Sequence, residues 1–197
     1  MITLYHGSDQ EVQQPLAKVG RRNLDFGPGF YLTKLKEQAE AWAGIIASRK
    51  SRNAKPFVSV FHFDEESASL ADARIKVFPE YDLDWLDYVV DCRRGKDYSD
   101  EFDIVEGGIA NDNVIDTVED YEKGIITAEQ ALGQLKYKKV NHQLCILNQS
   151  IIDHYLVFVE SYSPKLEDKA CIRSKQQAYM RLPAEMNNMR ILQSTLK

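Results

Sequence analysis

Asp25-Phe26-Gly27-Pro28-Gly29-Phe30-Tyr31-Leu32-Thr33 is the stretch on which the fold turns. Two glycines around a proline give a tight, shaped loop, because glycine reaches backbone angles closed to other residues and proline fixes its own. The loop feeds a short strand, Phe30–Thr33. It is no phosphate loop, since neither a Lys-Ser/Thr pair nor a G-x-G-x-x-G pattern follows. Taken alone it reads as a rigid turn before a buried strand. Upstream, Met1–His6 reads as a strand entering a turn at Gly7-Ser8, and 9–24 is polar and irregular.

Downstream, the periodicity becomes helical from Lys36 to about Arg49, where Ala39, Trp42, Ala43 and Ile46 fall on one stripe. Phe57–Phe63 alternates as a strand does, and His62 points to its less buried side. Pro79 opens a helix carrying Trp85, Leu86, Val89 and Val90, which Gly95 ends. Phe102–Ala110 is a strand interrupted by Gly107 and Gly108, a sign of a bulge or a close backbone approach. Asn111, Asp112 or Asn113 caps a helix with Val114, Val118 and Tyr121 on one face. Gly124 closes it, and Thr127 with Gln130 forms a capping box for another. His142–Leu147 and Tyr155–Tyr162 are strands around a Ser150-capped turn or short helix. The spacing predicts a helix over 165–182, followed by an extension at 183–197 that docks or frays. Acidic Asp64, Glu65 and Glu66 read as a solvated turn. Strands and helices mix without regular alternation, so the expected class is α+β, a mixed or mainly antiparallel sheet with helices around it.

Composition narrows the function. With 197 residues and 44% hydrophobic content spread along the chain, one folded domain is expected over 1–182. The net charge of -5, from 25 Lys plus Arg against 30 Asp plus Glu, disfavours non-specific adhesion to nucleic acid or acidic membranes. A local basic pocket is still available from Arg21-Arg22. Cys92, Cys145 and Cys171 have no metal spacing and are odd in number, which suits a reducing, cytoplasmic compartment and makes Cys145 a small core residue. Four dispersed histidines give no metal pair. There is no signal-peptide pattern and no membrane-spanning run, although delivery by a route without a signal peptide would leave no trace.

Leu4-Tyr5-His6-Gly7-Ser8, the 25–33 stretch, Gln38-Ala39-Glu40-Ala41-Trp42-Ala43, Asp103–Asp112 and Asn141-His142-Gln143-Leu144 occur in that order. The combination resembles a bacterial family of uncharacterised domains related to the His-Tyr-Glu ADP-ribosyltransferases, over roughly 1–160. The resemblance implies a split β-sheet with NAD in the cleft. His6 would hold ribose hydroxyls with Gly7 beside the cofactor, and Tyr31 would stack on nicotinamide; guanidinium groups suit oxyanions, so Arg21 or Arg22 could meet the pyrophosphate or else form a solvated pair. Gln143 falls where the family has its catalytic glutamate. An amide can bond a ribose hydroxyl but carries no charge and is no general base. Asp112 or Glu106 could supply the acid instead. The expected activity is transfer of ADP-ribose from NAD to a macromolecular or small-molecule acceptor. A toxin-like role beside a small partner protein or antitoxin follows by analogy only. The alternative is a non-catalytic nucleotide-binding or protein-interaction module on the same fold.

Overall fold

The computed structural model describes residues 1–19, 23–51, 53–70, 72–110, 114–136, 138 and 140–165. The chain divides into two compact units, Met1–Pro164 and Lys165–Lys197, and every described strand and helix belongs to the first. The helix expected at 165–182 and the 183–197 extension lie outside the described residues, Lys165 excepted.

The fold is mixed α+β. Strands β1 (Ile2–Ser8), β3 (Phe57–Phe63) and β7 (Leu156–Tyr162) form one antiparallel sheet in the order β1-β3-β7. Strands β2 (Phe30–Leu32), β4 (Ile75–Val77), β5 (Ile104–Gly108) and β6 (His142–Ile146) form the other, in the order β2-β6-β5-β4. Only β4 with β5 runs parallel. Between the sheets lies a core of Leu4, Phe30, Leu32, Phe61, Phe63, Ile104, Leu144 and Ile146. Strand alternation then sends the next residues to the far faces. On the second sheet, Tyr31, Val105 and Cys145 pack with Trp85, Leu86 and Val89 of α3 (Leu83–Arg93), Val118 of α4 (Ile115–Glu122) and Leu135 of α5 (Ala128–Leu135). On the first sheet, Val58 meets Ala39 and Ala43 of α1 (Lys36–Lys50). No helix of the described residues is long and apolar enough to cross a membrane.

Several local expectations are corrected. Strand β1 continues through Gly7 to Ser8 instead of turning there. Trp42 leaves the buried stripe of α1 and is 45% exposed, while Ala39, Ala43, Gly44 and Ala47 face inward. Helix α3 starts at Leu83 under an Asp82 cap, not at Pro79. Residues 65–70 form helix α2 (Glu65–Leu70) instead of a turn, with Asp64 Oδ1 accepting from the Ser67 amide at 3.2 Å. Asn148, not Ser150, caps α6 (Gln149–Tyr155). The glycines of β5 mark a close approach, since a Cβ on Gly108 would lie 2.4 Å from the Tyr81 ring. The Thr127/Gln130 capping box is present, and His62 is exposed.

Asp103 ties the second sheet to α6. Its carboxylate accepts from the Arg74 amide (2.9 Å), Arg74 Nε (3.0 Å), Arg74 Nη2 (2.9 Å) and Asn148 Nδ2 (2.8 Å). The Arg74 guanidinium holds the carboxyl far below the usual carboxylate range, against the opposing effect of burial. A depressed folded pKa adds stability above the unfolded value of about 3.9, and that stability is lost as pH falls towards the folded value. Asp103→Asn should therefore cost about 2 kcal/mol at pH 7. The gap to wild type should narrow steadily below about pH 4. Urea melts at several pH values test this, and a gap independent of pH would refute it.

Candidate functional site

Among the described residues one backbone bridge joins the two sheets. Tyr5 of β1 and Thr33, just past β2, exchange both backbone hydrogen bonds (2.9 and 3.0 Å) and form an isolated bridge. In an antiparallel ladder the next hydrogen-bonded pair would be Gly7 with Tyr31. That pair is not formed. The Tyr31 carbonyl instead accepts from His6 Nδ1 at 2.8 Å, and the strands part. The imidazole rests on the Phe30 ring, with centroids 4.5 Å apart. Burial lowers the His6 pKa from its usual 6.5, and the bond to Tyr31 only partly opposes this. His6 is thus neutral at pH 7. With its proton on Nδ1, Nε2 keeps a free lone pair, an acceptor for a hydroxyl. Gly7 keeps its N–H and C=O turned towards β2, as Tyr5 two residues earlier does.

The 25–29 loop is clamped at both ends. Asp25 Oδ1 accepts from Arg93 Nε (2.9 Å) and Nη2 (2.8 Å), and Oδ2 accepts from the Ala110 amide (2.9 Å). Gly27 has φ of +80°, which favours glycine. The Tyr31 hydroxyl accepts from the Phe26 amide (3.0 Å) and donates to the Gly27 carbonyl (2.8 Å). Burial pushes this phenol well above its usual pKa, so it stays a donor. The Tyr31 ring stacks on Phe26 at 6.4 Å and is half-buried. His6 and Tyr31 are therefore joined through a backbone carbonyl, and alternation sends their side chains to opposite faces of the strands.

Gln143 belongs to the Tyr31 face. Tyr31 pairs with Cys145 across β2 and β6, and Gln143 lies two residues before Cys145. It is half-buried, opposite Gly107. Glu106 is not brought to that face. It pairs with Leu144, which faces the core between the sheets, and Lys34 Nζ binds its carboxylate at 3.0 Å. Arg21, Arg22 and Asp112 lie outside the described residues. Cys145 is the core residue its apolar surroundings suggested, with burial pushing its thiol pKa far up.

Two surface hollows lie elsewhere. One of about 480 Å³ is lined by residues including Asp87, Asp91, Arg94 and Tyr121; one of about 350 Å³ by residues including Leu16, Val19, Leu147 and Gln149. His6, Tyr31 and Gln143 line neither.

Sequence reasoning did not single out the relay from Thr33 to Gln38 beside the bridge. The Thr33 hydroxyl accepts from the Leu35 amide (3.1 Å) and donates to Gln38 Oε1 (2.9 Å). Gln38 Nε2 is buried and has no hydrogen-bond partner among the described residues. Nothing local in the sequence marks either residue, because the relay exists only once α1 lies over the β1–β2 bridge.

The chain is an α+β domain with two sheets parting beside His6, Tyr31 and Gln143. Residues 2–158 match the model of a family described as a protein of unknown function, DUF3990, and the chain belongs to that family. No curated protein and no solved structure matches it.

Proposed function

We propose that the domain binds NAD where β1 and β2 part and transfers its ADP-ribose to an acceptor, releasing nicotinamide. The observation carrying this reading is the parting itself, with the Tyr31 carbonyl diverted to His6. The diversion leaves the backbone edge of Gly7 unpaired with Tyr31, and a carboxamide complements an edge that offers one N–H and one C=O. The neutral His6 accepts a ribose hydroxyl at Nε2, and the Tyr31 ring offers a flat face to the pyridinium. In the reaction the ribose C1′–nitrogen bond breaks and nicotinamide leaves with the electron pair. The acceptor nucleophile bonds to C1′ and gives its proton to solvent. Gln143, on the Tyr31 face, meets the nicotinamide side of the ribose, across the strands from the side that His6 holds.

The second reading, a nucleotide-binding module without transferase activity, is favoured by the same acids that fail to assemble. Glu106 is on the opposite face and tied to Lys34, and Gln143 is neutral. Nicotinamide release by wild type in the presence of protein and small-molecule acceptors separates the two.

Binding is tested with Tyr31 variants. The ring is the proposed contact and the hydroxyl clamps the loop, so the two should separate experimentally. Tyr31→Phe should unfold about 1 kcal/mol more easily through the lost clamp. Its NAD affinity should stay within about twofold of wild type. Tyr31→Ala should weaken NAD binding by roughly three- to tenfold, the value of a stacked aromatic. Calorimetry decides it: wild type that takes up no NAD, or Tyr31→Ala that binds as wild type does, removes the proposal.

A further inference from the structure

We propose that the side-chain NH2 of Gln38 is a ligand-binding group, donating to the carbonyl oxygen of the carboxamide on bound NAD, with Thr33 as its positioning residue. This rests on the NAD reading above.

The argument starts from the direction of the hydrogen-bond relay. The Thr33 hydroxyl already accepts the Leu35 amide proton, so its own proton is free to be donated. Its partner must then be the oxygen of Gln38, at 2.9 Å. A flipped amide would leave the Thr33 proton without an acceptor, and Thr33 is buried, with 4% of its surface exposed. The relay thus sets the amide in one orientation, with Oε1 engaged and Nε2 presenting two donors. Nε2 is out of reach of solvent and of any acceptor among the described residues. A buried, unsatisfied donor costs about 1–3 kcal/mol, and such groups are rare unless something pairs with them.

Among the described residues, Ser161 Oγ is likewise buried without a partner, and Tyr88 Oη has only the Cys92 thiol beside it. Each is a hydroxyl, free to rotate its single proton. Gln38 differs because Thr33 locks it. It also differs in place. Thr33 forms the only bridge between the sheets among the described residues and stands one register step beyond the Leu32–Leu144 pair, which puts it opposite Gln143. Its side chain therefore shares the face of Tyr31 and Gln143. Ala39, the residue after Gln38, lies so close to Gly7 that a Cβ there would be 2.1 Å from the Ala39 carbonyl oxygen. Gln38 thus belongs to the turn of α1 that lies over Gly7, and its amide is held by Thr33 on the Tyr31 side of the strands. An NH2 that can only donate suits a carbonyl oxygen, and ADP-ribose has no carboxamide to supply one.

The test compares NAD with ADP-ribose, which lacks the nicotinamide, on the full chain by calorimetry. Gln38→Glu keeps the oxygen that Thr33 requires and replaces the donor with an acceptor. Gln38→Met keeps the length without any polar atom, and serves if the charged variant does not fold. Wild type should bind NAD more tightly than ADP-ribose. Either variant should lose about tenfold or more in NAD affinity, the value of a hydrogen bond whose partner is left unpaired, with ADP-ribose affinity unchanged within about twofold. Thr33→Val, which releases the amide, should show a smaller loss with the same selectivity. Equal losses for the two ligands would assign Gln38 a structural role and overturn the proposal, as would unchanged NAD affinity or a wild type that binds both ligands equally. A wild type that binds neither ligand overturns the NAD reading as well.

Discussion

Gly7→Ala is expected to destabilise the domain by about 3 kcal/mol, the upper part of the range for overpacking a tight contact. Gly133→Ala should leave stability unchanged or raise it by up to about 1 kcal/mol. The substitution is the same and the surroundings decide the sign. A Cβ on Gly7 falls 2.1 Å from the Ala39 carbonyl oxygen and 3.0 Å from the Ala43 amide nitrogen. Both are backbone atoms of α1, which cannot turn aside as a side chain can. Accommodation would require the whole helix to lift from β1, undoing the contact of Ala39 and Ala43 with Val58. Gly133 lies exposed within α5 with nothing within 4 Å of its ideal Cβ, so alanine there only reduces the freedom of the unfolded chain. Urea melts of both variants, fitted with a common slope, are the measurement. If Gly7→Ala melts with wild type, the close approach of α1 to β1 is wrong. The position of Gln38 would then fall with it.

Gly7 also shows where reading from sequence stops. A glycine after a short apolar stretch reads as a turn, because a turn is the local reason for one. Here the reason is a helix more than thirty residues away, and the strand runs straight through. The same contact explains Trp42. Helical spacing puts it beside Ala39 and Ala43, but a helix backbone this close to a strand has room only for Ala39, Ala43, Gly44 and Ala47 on the near side. The indole is turned outward. Strand β4 was invisible for another reason: Ile75 and Val77 are both exposed at the sheet edge, so three residues carried neither alternation nor a buried run. Helix α2 had a signal, Asp64 capping Ser67, that three successive acids disguised as a solvated loop. Elements with a strong local period, such as β3, and with local caps, such as α5, were legible throughout. Of the candidate site, His6, Tyr31 and Gln143 were singled out as residues only through resemblance. Their arrangement was not, because a split between two strands is a property of pairing across the sheets.

Gln143→Glu should raise the rate of nicotinamide release from NAD by about tenfold, corresponding to roughly 1.4 kcal/mol of transition-state stabilisation. Gln143 shares a face with Tyr31, one step along β6 from the Tyr31–Cys145 pair, and no hydrogen bond within the described residues competes for its amide. Cleavage of the ribose–nitrogen bond develops positive charge on the sugar. A carboxylate at 143 would oppose that charge, whereas the amide offers only a neutral dipole. Glutamate is close to glutamine in size, so the substitution changes charge with little change in shape. The charge should also survive in place, since position 143 is half-buried and Lys34, the cation nearest in sequence terms to β2, is occupied with Glu106 on the other face. Glu106→Gln is the matching control: it removes a carboxylate from the face away from Tyr31 and should leave nicotinamide release within about twofold of wild type, on the principle that only charges near the developing cation count. Release measured at equal folded concentration for wild type, Gln143→Glu, Gln143→Ala and Glu106→Gln gives the answer. A rate that falls in Gln143→Glu and is unchanged in Gln143→Ala would remove Gln143 from the catalytic position. A rate that collapses in Glu106→Gln would place the acid on the opposite face and reverse the assignment of the reactive side of the sheet.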